Sequence, residues 1–476
     1  MQGLELFEED KIHEECGVFG IYAPEGENVA SAIYYGLTAL QHRGQEAAGI
    51  SVCDTAGPVG NMQTKKGPGL VSEVFLPEDL LKMKGNVGVG HVRYSTTGGS
   101  RPENAQPIAM NYIKGSLALV HNGNLVNAEE IKQAQMYRGQ AHYTTSDTEV
   151  LAYEIISKRV QTESIEEAVL QVTKVIRGGY ACLIMSPRKL VAIRDPQGLK
   201  PLALGKKGSS YIFASESAAI LAIGGEFLRD VKPGEMISIT KEGIRCDTSL
   251  GGEKQAHCIF EYIYFARNDS VMDGIEVHEA RMQAGRALAR AAGREADLVA
   301  GVPDSGLSAA EGYAAEAGIP FANIFHKNSY IGRSFIKPTD EERKNAVHMK
   351  LSVLGSAVKG KRIVLIDDSI VRGTTMSQII EMLRKAGAAE VHVRISSPHF
   401  LYPCYYGTDV PSTKQLIAAR LTDEEICKNI GADSLAFLDL KDFHTMVGDL
   451  PLCSACFDGN YPVAVHETTG LDCHSR

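Results

Sequence analysis

Hydrophobic and polar positions divide the chain into two stretches of different rhythm. From residue 16 to about 245, short apolar runs recur: CGVFGIYA, NVGVGHVRYS, SLALVHNG, YACLIM, KLVAIRD, SYIFAS and MISIT. Glycine, proline and polar clusters separate them, as turns separate strands. Helical spacing intervenes in TSDTEVLAYEIISKRV, where Val150, Leu151, Tyr153, Ile155 and Ile156 cluster. Ser146 and Asp147 stand where that helix needs an N-cap, with Glu149 close behind. The mixture predicts α+β layers of sheet and helix for residues 16–245.

From about residue 275 strands and helices alternate. HEARMQAGRALARAAG, SGLSAAEGYAAEAG and MSQIIEMLRKAG read as helices; DLVAGVP, IPFANIF, KRIVLIDD and EVHVRISSP read as strands. Such alternation predicts parallel crossovers and a doubly wound α/β sheet over residues 275–450. Residues 246–274 form the linker, and 451–476 a polar C-terminal segment carrying a C-x-x-C.

Composition narrows the class. At about 150 residues per domain, 476 residues predict two or three domains. With 44% hydrophobic and 22% charged residues the chain can bury a large core. A net charge of −9 argues against a nucleic-acid binder. No apolar run approaches the ~18–20 residues of a membrane span. Residues 1–15, MQGLELFEEDKIHEE, lack the basic start and apolar middle of a secretory signal. Ten cysteines are too sparse for a disulfide scaffold. The expected compartment is therefore a reducing cytoplasm.

The most informative segment is KRIVLIDDSIVRGTTMSQIIEMLRKAG. Ile363 to Ile366 form a continuous apolar run, as in a strand covered on both faces. Asp367 and Asp368 sit at its carboxyl end, followed by Ser369, Gly373, Thr374 and Thr375. A glycine–hydroxyl loop entering a helix presents N–H groups to a phosphate. The two carboxylates suit sugar hydroxyls and a hard cation such as Mg²⁺. One site offering both fits a phosphorylated sugar. The string resembles the phosphoribosyl-diphosphate (PRPP) signature of type I phosphoribosyltransferases. Upstream, the Asp304–Ser305–Gly306 turn resembles the pyrophosphate loop of that fold. The resemblance implies that Ser305, Asp367 and Asp368 share the Mg²⁺ and diphosphate site. Between them, KNSYIGRSFIKPTDEERKNAVHMKLS is polar and basic, which suits a loop closing over a polyanion. Tyr330 and Arg333 are its expected substrate contacts, with Lys337, Arg343 and Lys350 adding charge; His348 stands where the resemblance leads one to expect an arginine.

In the first stretch Cys16 opens a strand directly after the acidic leader. QHRGQEAAGI, GHVRYST, HNGNL, SDTE and RDPQGLKPLALG follow in order. Together they resemble the N-terminal-nucleophile (Ntn) glutamine amidotransferase domain. That resemblance implies a propeptide of residues 1–15 cleaved after Glu15, because the Cys16 amine must be free to accept the thiol proton. It assigns the oxyanion donors to Asn122 and Gly123, the glutamine α-carboxylate to Arg93 and its α-ammonium to Asp147.

Cys453 and Cys456 form the C-x-x-C, and Cys258 and Cys404 are further ligand candidates. Spacing alone leaves an Fe–S cluster, zinc and free thiols open. The leader plus these four positions resembles the amidophosphoribosyltransferase subgroup that carries a propeptide and a 4Fe-4S cluster. Cys53, Cys182, Cys246, Cys427 and Cys473 read as buried or free thiols. The two halves imply glutamine and PRPP as substrates, purine nucleotides as feedback inhibitors and, by family habit, a homotetramer. Asparagine synthetase would need an S-G-G-x-D-S loop, and glucosamine-phosphate synthase would need isomerase repeats; neither is present. From other classes, a PRPP-sensing regulator would show a basic arm, and an Fe–S electron carrier has no use for the PRPP loop.

Overall fold

The computed structural model describes residues 16–57, 61–94, 101–252, 254–328, 350–408 and 413–465. Residues 1–15, the expected propeptide, and Tyr330, Arg333, Lys337, Arg343, His348 and Cys473 lie outside the described residues.

The first half is a sandwich of two sheets. Its strands are β1 (Gly17–Tyr22), β2 (Ala47–Cys53), β3 (Met62–Pro68), β4 (Val87–Arg93), β5 (Ile108–Tyr112), β6 (Gly115–Leu125) and β7 (Gly178–Met185). Then follow β8 (Leu190–Arg194), β9 (Ala203–Lys207), β10 (Ser210–Ala214), β11 (Glu226–Asp230), β12 (Met236–Thr240) and β13 (Gly243–Asp247). One sheet has the order β11-β9-β10-β1-β4-β2-β3 and the other β13-β12-β8-β7-β6-β5. Side-chain alternation explains the layers. Val18 and Tyr22 of β1, Val87 and Val89 of β4, and Ala118 and Val120 of β6 fill the seam between sheets. Phe19 and Ile21 face the Ala30–Ala39 helix on one outer side. Leu117 and Leu119 face the Asp147–Gln161 and Ile165–Thr173 helices on the other. The helix Asp147–Gln161 starts as its sequence requires: the Ser146 hydroxyl accepts from the Thr148 N–H.

The second half is a parallel sheet in the order Leu298–Gly301, Arg362–Asp367, Glu390–Ile395, Ser434–Phe437. Alternation again sets the faces. Ile363 and Leu365 pack with Ile379, Ile380 and Leu383 of the Thr374–Lys385 helix. Val364 and Ile366 pack with Ala309 and Tyr313 of the Gly306–Ala317 helix. The Val277–Ala292 helix lies so close to Gly306–Ala317 that a Cβ on Gly285 would stand 1.8 Å from the Ala309 carbonyl.

One expectation needs correction. IPFANIF makes only an isolated Val299–Phe321 bridge; the strand starts at Phe325 and pairs with Leu351–Val353. Pro320 has no N–H for a ladder, and the Asn323 side chain accepts from the Phe325 N–H instead. The stretch expected as a linker, 246–274, has structure of its own. His257–Cys258 pairs with Leu452–Cys453, and Glu261–Phe265 is a buried π-helical turn.

Candidate functional site

The first candidate site lies at one end of the sandwich seam. Positions 16, 93 and 122 share the inward parity of Val18, Val89 and Val120, so alternation carries Cys16, Arg93 and Asn122 toward the seam. All three are buried. The Cys16 thiol lies 3.5 Å from the Tyr94 carbonyl oxygen. Burial pushes the thiol pKa up, while the Arg93 guanidinium pulls it down. A neutral thiol requires a proton acceptor acting in step with attack.

Asn122 is 0% exposed, and neither Nδ2 nor Oδ1 has a hydrogen-bond partner among the described residues. An orphaned buried amide costs about 1–3 kcal/mol, so its retention calls for a ligand. Gly123 has φ +136°, and a Cβ there would meet the Gly179 carbonyl at 2.0 Å. Only glycine allows that bend of β6. Asp147 opens its helix and accepts from the Leu125 N–H at 3.0 Å. Burial raises its pKa, but the His121 ring and the Leu125 and Thr148 N–H groups outweigh it and hold the carboxyl below its usual range. His121 Nδ1 stands 3.7 Å from the Asp147 carboxylate. Gln106 grips the His121 backbone, donating to its carbonyl and accepting from its N–H at 2.7 Å. His91 Nε2 meets the same carbonyl at 3.1 Å, and burial holds His91 neutral, its pKa down to about 3.

The second candidate site lies at the carboxyl edge of the parallel sheet. Asp367 and Asp368 end their strand, each 3% exposed. The Asp368 carboxylate accepts from the hydroxyls of Ser305 and Ser369, and Asp367 accepts from the Asp368 N–H at 3.0 Å. Gly306 allows this convergence, since a Cβ there would lie 2.6 Å from the Ile366 carbonyl. Gly373 caps the Thr374–Lys385 helix with φ 87°, a left-handed turn that favours glycine. No acidic side chain occupies that helix's first turn, so Thr374 and Thr375 open onto its positive end. Lys327 pairs with Asp304 beside the Ser305 loop. Lys350 stands where the chain returns, its carbonyl accepting from Asn328.

Cys258, Cys404, Cys453 and Cys456 line one cavity with Phe260 and Phe400. Register places Cys258 opposite Cys453, and Leu401 and Tyr402 donate to the Cys456 carbonyl, each at 3.1 Å. Burial and the other three thiols raise the Cys456 pKa well above its ordinary value. None of the nine described cysteines forms a disulfide with another. Among the described residues no group of three or more His, Cys, Asp or Glu is placed to hold a metal ion.

Sequence reasoning missed Gln106, His121, Glu216 and Glu261. Arg43 donates to the Cys16 carbonyl and to both glutamates, and nothing local announces partners so far along the chain.

These sites match known families. Residues 91–222 match the model of a glutamine amidotransferase domain, and residues 273–396 that of a phosphoribosyl transferase domain. The chain is 45% identical over 467 residues to the amidophosphoribosyltransferase of Bacillus subtilis strain 168, covering 97% of this chain and 96% of the relative. The chain belongs to the amidophosphoribosyltransferase family. The Methanocaldococcus jannaschii member is 44% identical over 95% of this chain and 98% of its own. Among solved structures, the B. subtilis glutamine PRPP amidotransferase complexed with ADP and GMP matches with TM-score 0.88 and 45% identity. That match covers 95% of this chain and 98% of the other. The fold is accordingly an Ntn-type glutamine amidotransferase domain followed by a phosphoribosyltransferase domain. Among the described residues no helix is long and apolar enough to cross a membrane.

Proposed function

We propose that this chain transfers the amide nitrogen of glutamine to PRPP, giving 5-phosphoribosylamine, glutamate and pyrophosphate, the first step of purine synthesis. The carrying observation is the orphaned Asn122 amide in the seam that receives Cys16 and Arg93.

Once residues 1–15 are removed, the Cys16 α-amine takes the thiol proton, its ordinary pKa being about 7.7–8. The thiolate attacks the glutamine amide carbon. Asn122 Nδ2 and the Gly123 N–H meet the oxyanion, which forms where donors already stand. Arg93 holds the α-carboxylate through its planar fork, and Asp147 holds the α-ammonium. Ammonia leaves with a proton returned by the amine, and water hydrolyses the glutamyl thioester.

At the second site the N–H groups around Gly373, Thr374 and Thr375, with Ser369, take the 5-phosphate. Ser305, Asp367 and Asp368 offer only oxygen donors, a set that fits Mg²⁺. When bound, Mg²⁺ neutralises the leaving pyrophosphate. Tyr330 and Arg333 close over PRPP and keep ammonia from water. Cys258, Cys404, Cys453 and Cys456 offer soft thiols among aromatic rings, a donor set that fits a 4Fe-4S cluster. Its role is structural, tying the linker to the C-terminal segment.

The reading includes a glutaminase domain over 16–245, a linker over 246–274, a phosphoribosyltransferase domain over 275–450 and a cluster-bearing segment over 451–476. It includes a cytoplasmic homotetramer inhibited by purine nucleotides, supported by the relative solved with ADP and GMP. The test supplies amide-¹⁵N glutamine, PRPP and Mg²⁺. Label should enter phosphoribosylamine as glutamate and pyrophosphate form in equal amounts. Product nitrogen drawn from the medium would overturn the reading. Iron and sulfide in equal amounts, with visible charge-transfer absorption, tests the cluster; zinc in their place would refute it.

A further inference from the structure

We propose that Glu261 is a positioning residue for the glutaminase half. Acting through Arg43, it fixes the Cys16 backbone and makes that placement depend on the phosphoribosyl half. The inference rests on the functional reading above.

Arg43 is 1% exposed and its fork is filled. Nε donates to the Cys16 carbonyl at 3.2 Å. Nη1 donates to Glu216 at 2.7 Å and to Glu261 at 2.9 Å, and Nη2 donates to Glu261 at 2.5 Å. Glu216 also accepts from the Arg267 N–H and the Ser270 hydroxyl, so it is anchored without Glu261. Turning Arg43 away would break its ion pairs with two buried carboxylates, which is strongly unfavourable. The Cys16 carbonyl is therefore only as fixed as the carboxylates behind it.

Glu261 opens the π-helical turn Glu261–Phe265. Arg281, on the Val277–Ala292 helix, clamps that turn, donating to the Tyr262 carbonyl at 2.8 Å and to the Ala266 carbonyl at 2.8 Å. Arg281 is itself buried. Burial lowers its pKa to about 10, and Asp368 leads the charges opposing that shift, ahead of Glu216. The helix that carries Arg281 packs tightly on the Gly306–Ala317 helix, which starts at the Ser305 loop of the phosphoribosyl site. The contiguous path is Cys16 carbonyl, Arg43, Glu261, the turn, Arg281 and the Val277–Ala292 helix, seated on the helix that follows Ser305. Spatial continuity alone does not establish coupling, so the test measures it.

Glu261→Gln keeps the shape and leaves Arg43 paired with Glu216. The full-length enzyme is assayed for PRPP amination from glutamine and from ammonium, and for glutamine hydrolysis with and without PRPP. The ammonium reaction and the glutamine KM should stay within about twofold of the parent. The glutaminase kcat with PRPP present should fall about tenfold, as misplacement of a reacting group does. Stimulation of hydrolysis by PRPP should be lost, and Glu261→Asp should restore part of it. An unchanged kcat, or an equal fall for both nitrogen sources, would overturn the proposal. Should Glu261→Gln not fold, Arg281→Lys loosens the clamp on the turn and must give the same split. A parent enzyme without any glutamine-dependent amination would sink the functional reading itself.

Discussion

Cys16, Arg93, Asn122 and Asp147 reach one end of a sandwich from separate segments, whereas residues 367–375 form one uninterrupted strand end and loop. At the first site a buried Asn122 amide stands in the seam without a hydrogen-bond partner among the described residues. The second lies at a sheet edge, where carboxylates, hydroxyls and a helix N-terminus face outward. The difference teaches where each site is vulnerable. Exact backbone placement governs the first, because its donors cannot adjust. In the proposed reading charge governs the second, where a polyanion and a cation are to be held together.

The largest expected effect breaks the pair apart. Cys16→Ala should reduce glutamine-dependent amination by more than about 10³-fold and leave ammonium-dependent amination intact. Asp367→Asn or Asp368→Asn should do the reverse, lowering amination from both nitrogen sources by about 10²-fold or more while hydrolysis of glutamine persists. Equal loss of both activities in either variant would mean the sites are not separable.

Asn122→Ala should lower the glutaminase kcat by about 10²-fold with little change in the glutamine KM, the mark of a donor used in the transition state. Gly123→Ala adds a Cβ where the Gly179 carbonyl stands at 2.0 Å. It should lower Tm by about 4–10 °C, measured by calorimetry, whereas Gly139→Ala, with nothing within 4 Å of its Cβ, should cost less.

The smallest effect concerns pH. The Asp147 carboxyl is held below its usual range, so it stays ionised above about pH 4 and its contribution is lost only as pH falls through the lower folded value. The glutamine KM should therefore be level between about pH 6 and 8. The kcat should fall across the same interval as the Cys16 amine, with an ordinary pKa of about 7.7–8, takes up its proton. A KM that climbs in step with the loss of kcat would remove Asp147 as the ammonium anchor.

The two sites also differ in how they could be read. Residues 363–375 carry their chemistry in one string, and Met376, Ile379, Ile380 and Leu383 fall on one buried helix face as their spacing predicts. The four segments of the glutamine site are individually ordinary; only their joint order and a family resemblance single them out. The Arg43 network was invisible, because a guanidinium's partners at residues 216 and 261 leave no local pattern. IPFANIF misled because apolar composition does not reveal that Pro320 cannot donate to a ladder. Within the 246–274 stretch, the buried turn at Glu261–Phe265 was not predicted.

The central claim is that thiol and base belong to one residue, so the working enzyme must start at Cys16. Intact-mass and N-terminal peptide analysis of purified protein, run beside its glutamine-dependent turnover, tests this most directly. The account predicts that turnover tracks the fraction of chains starting at Cys16. Full turnover from chains that retain residues 1–15 would contradict it.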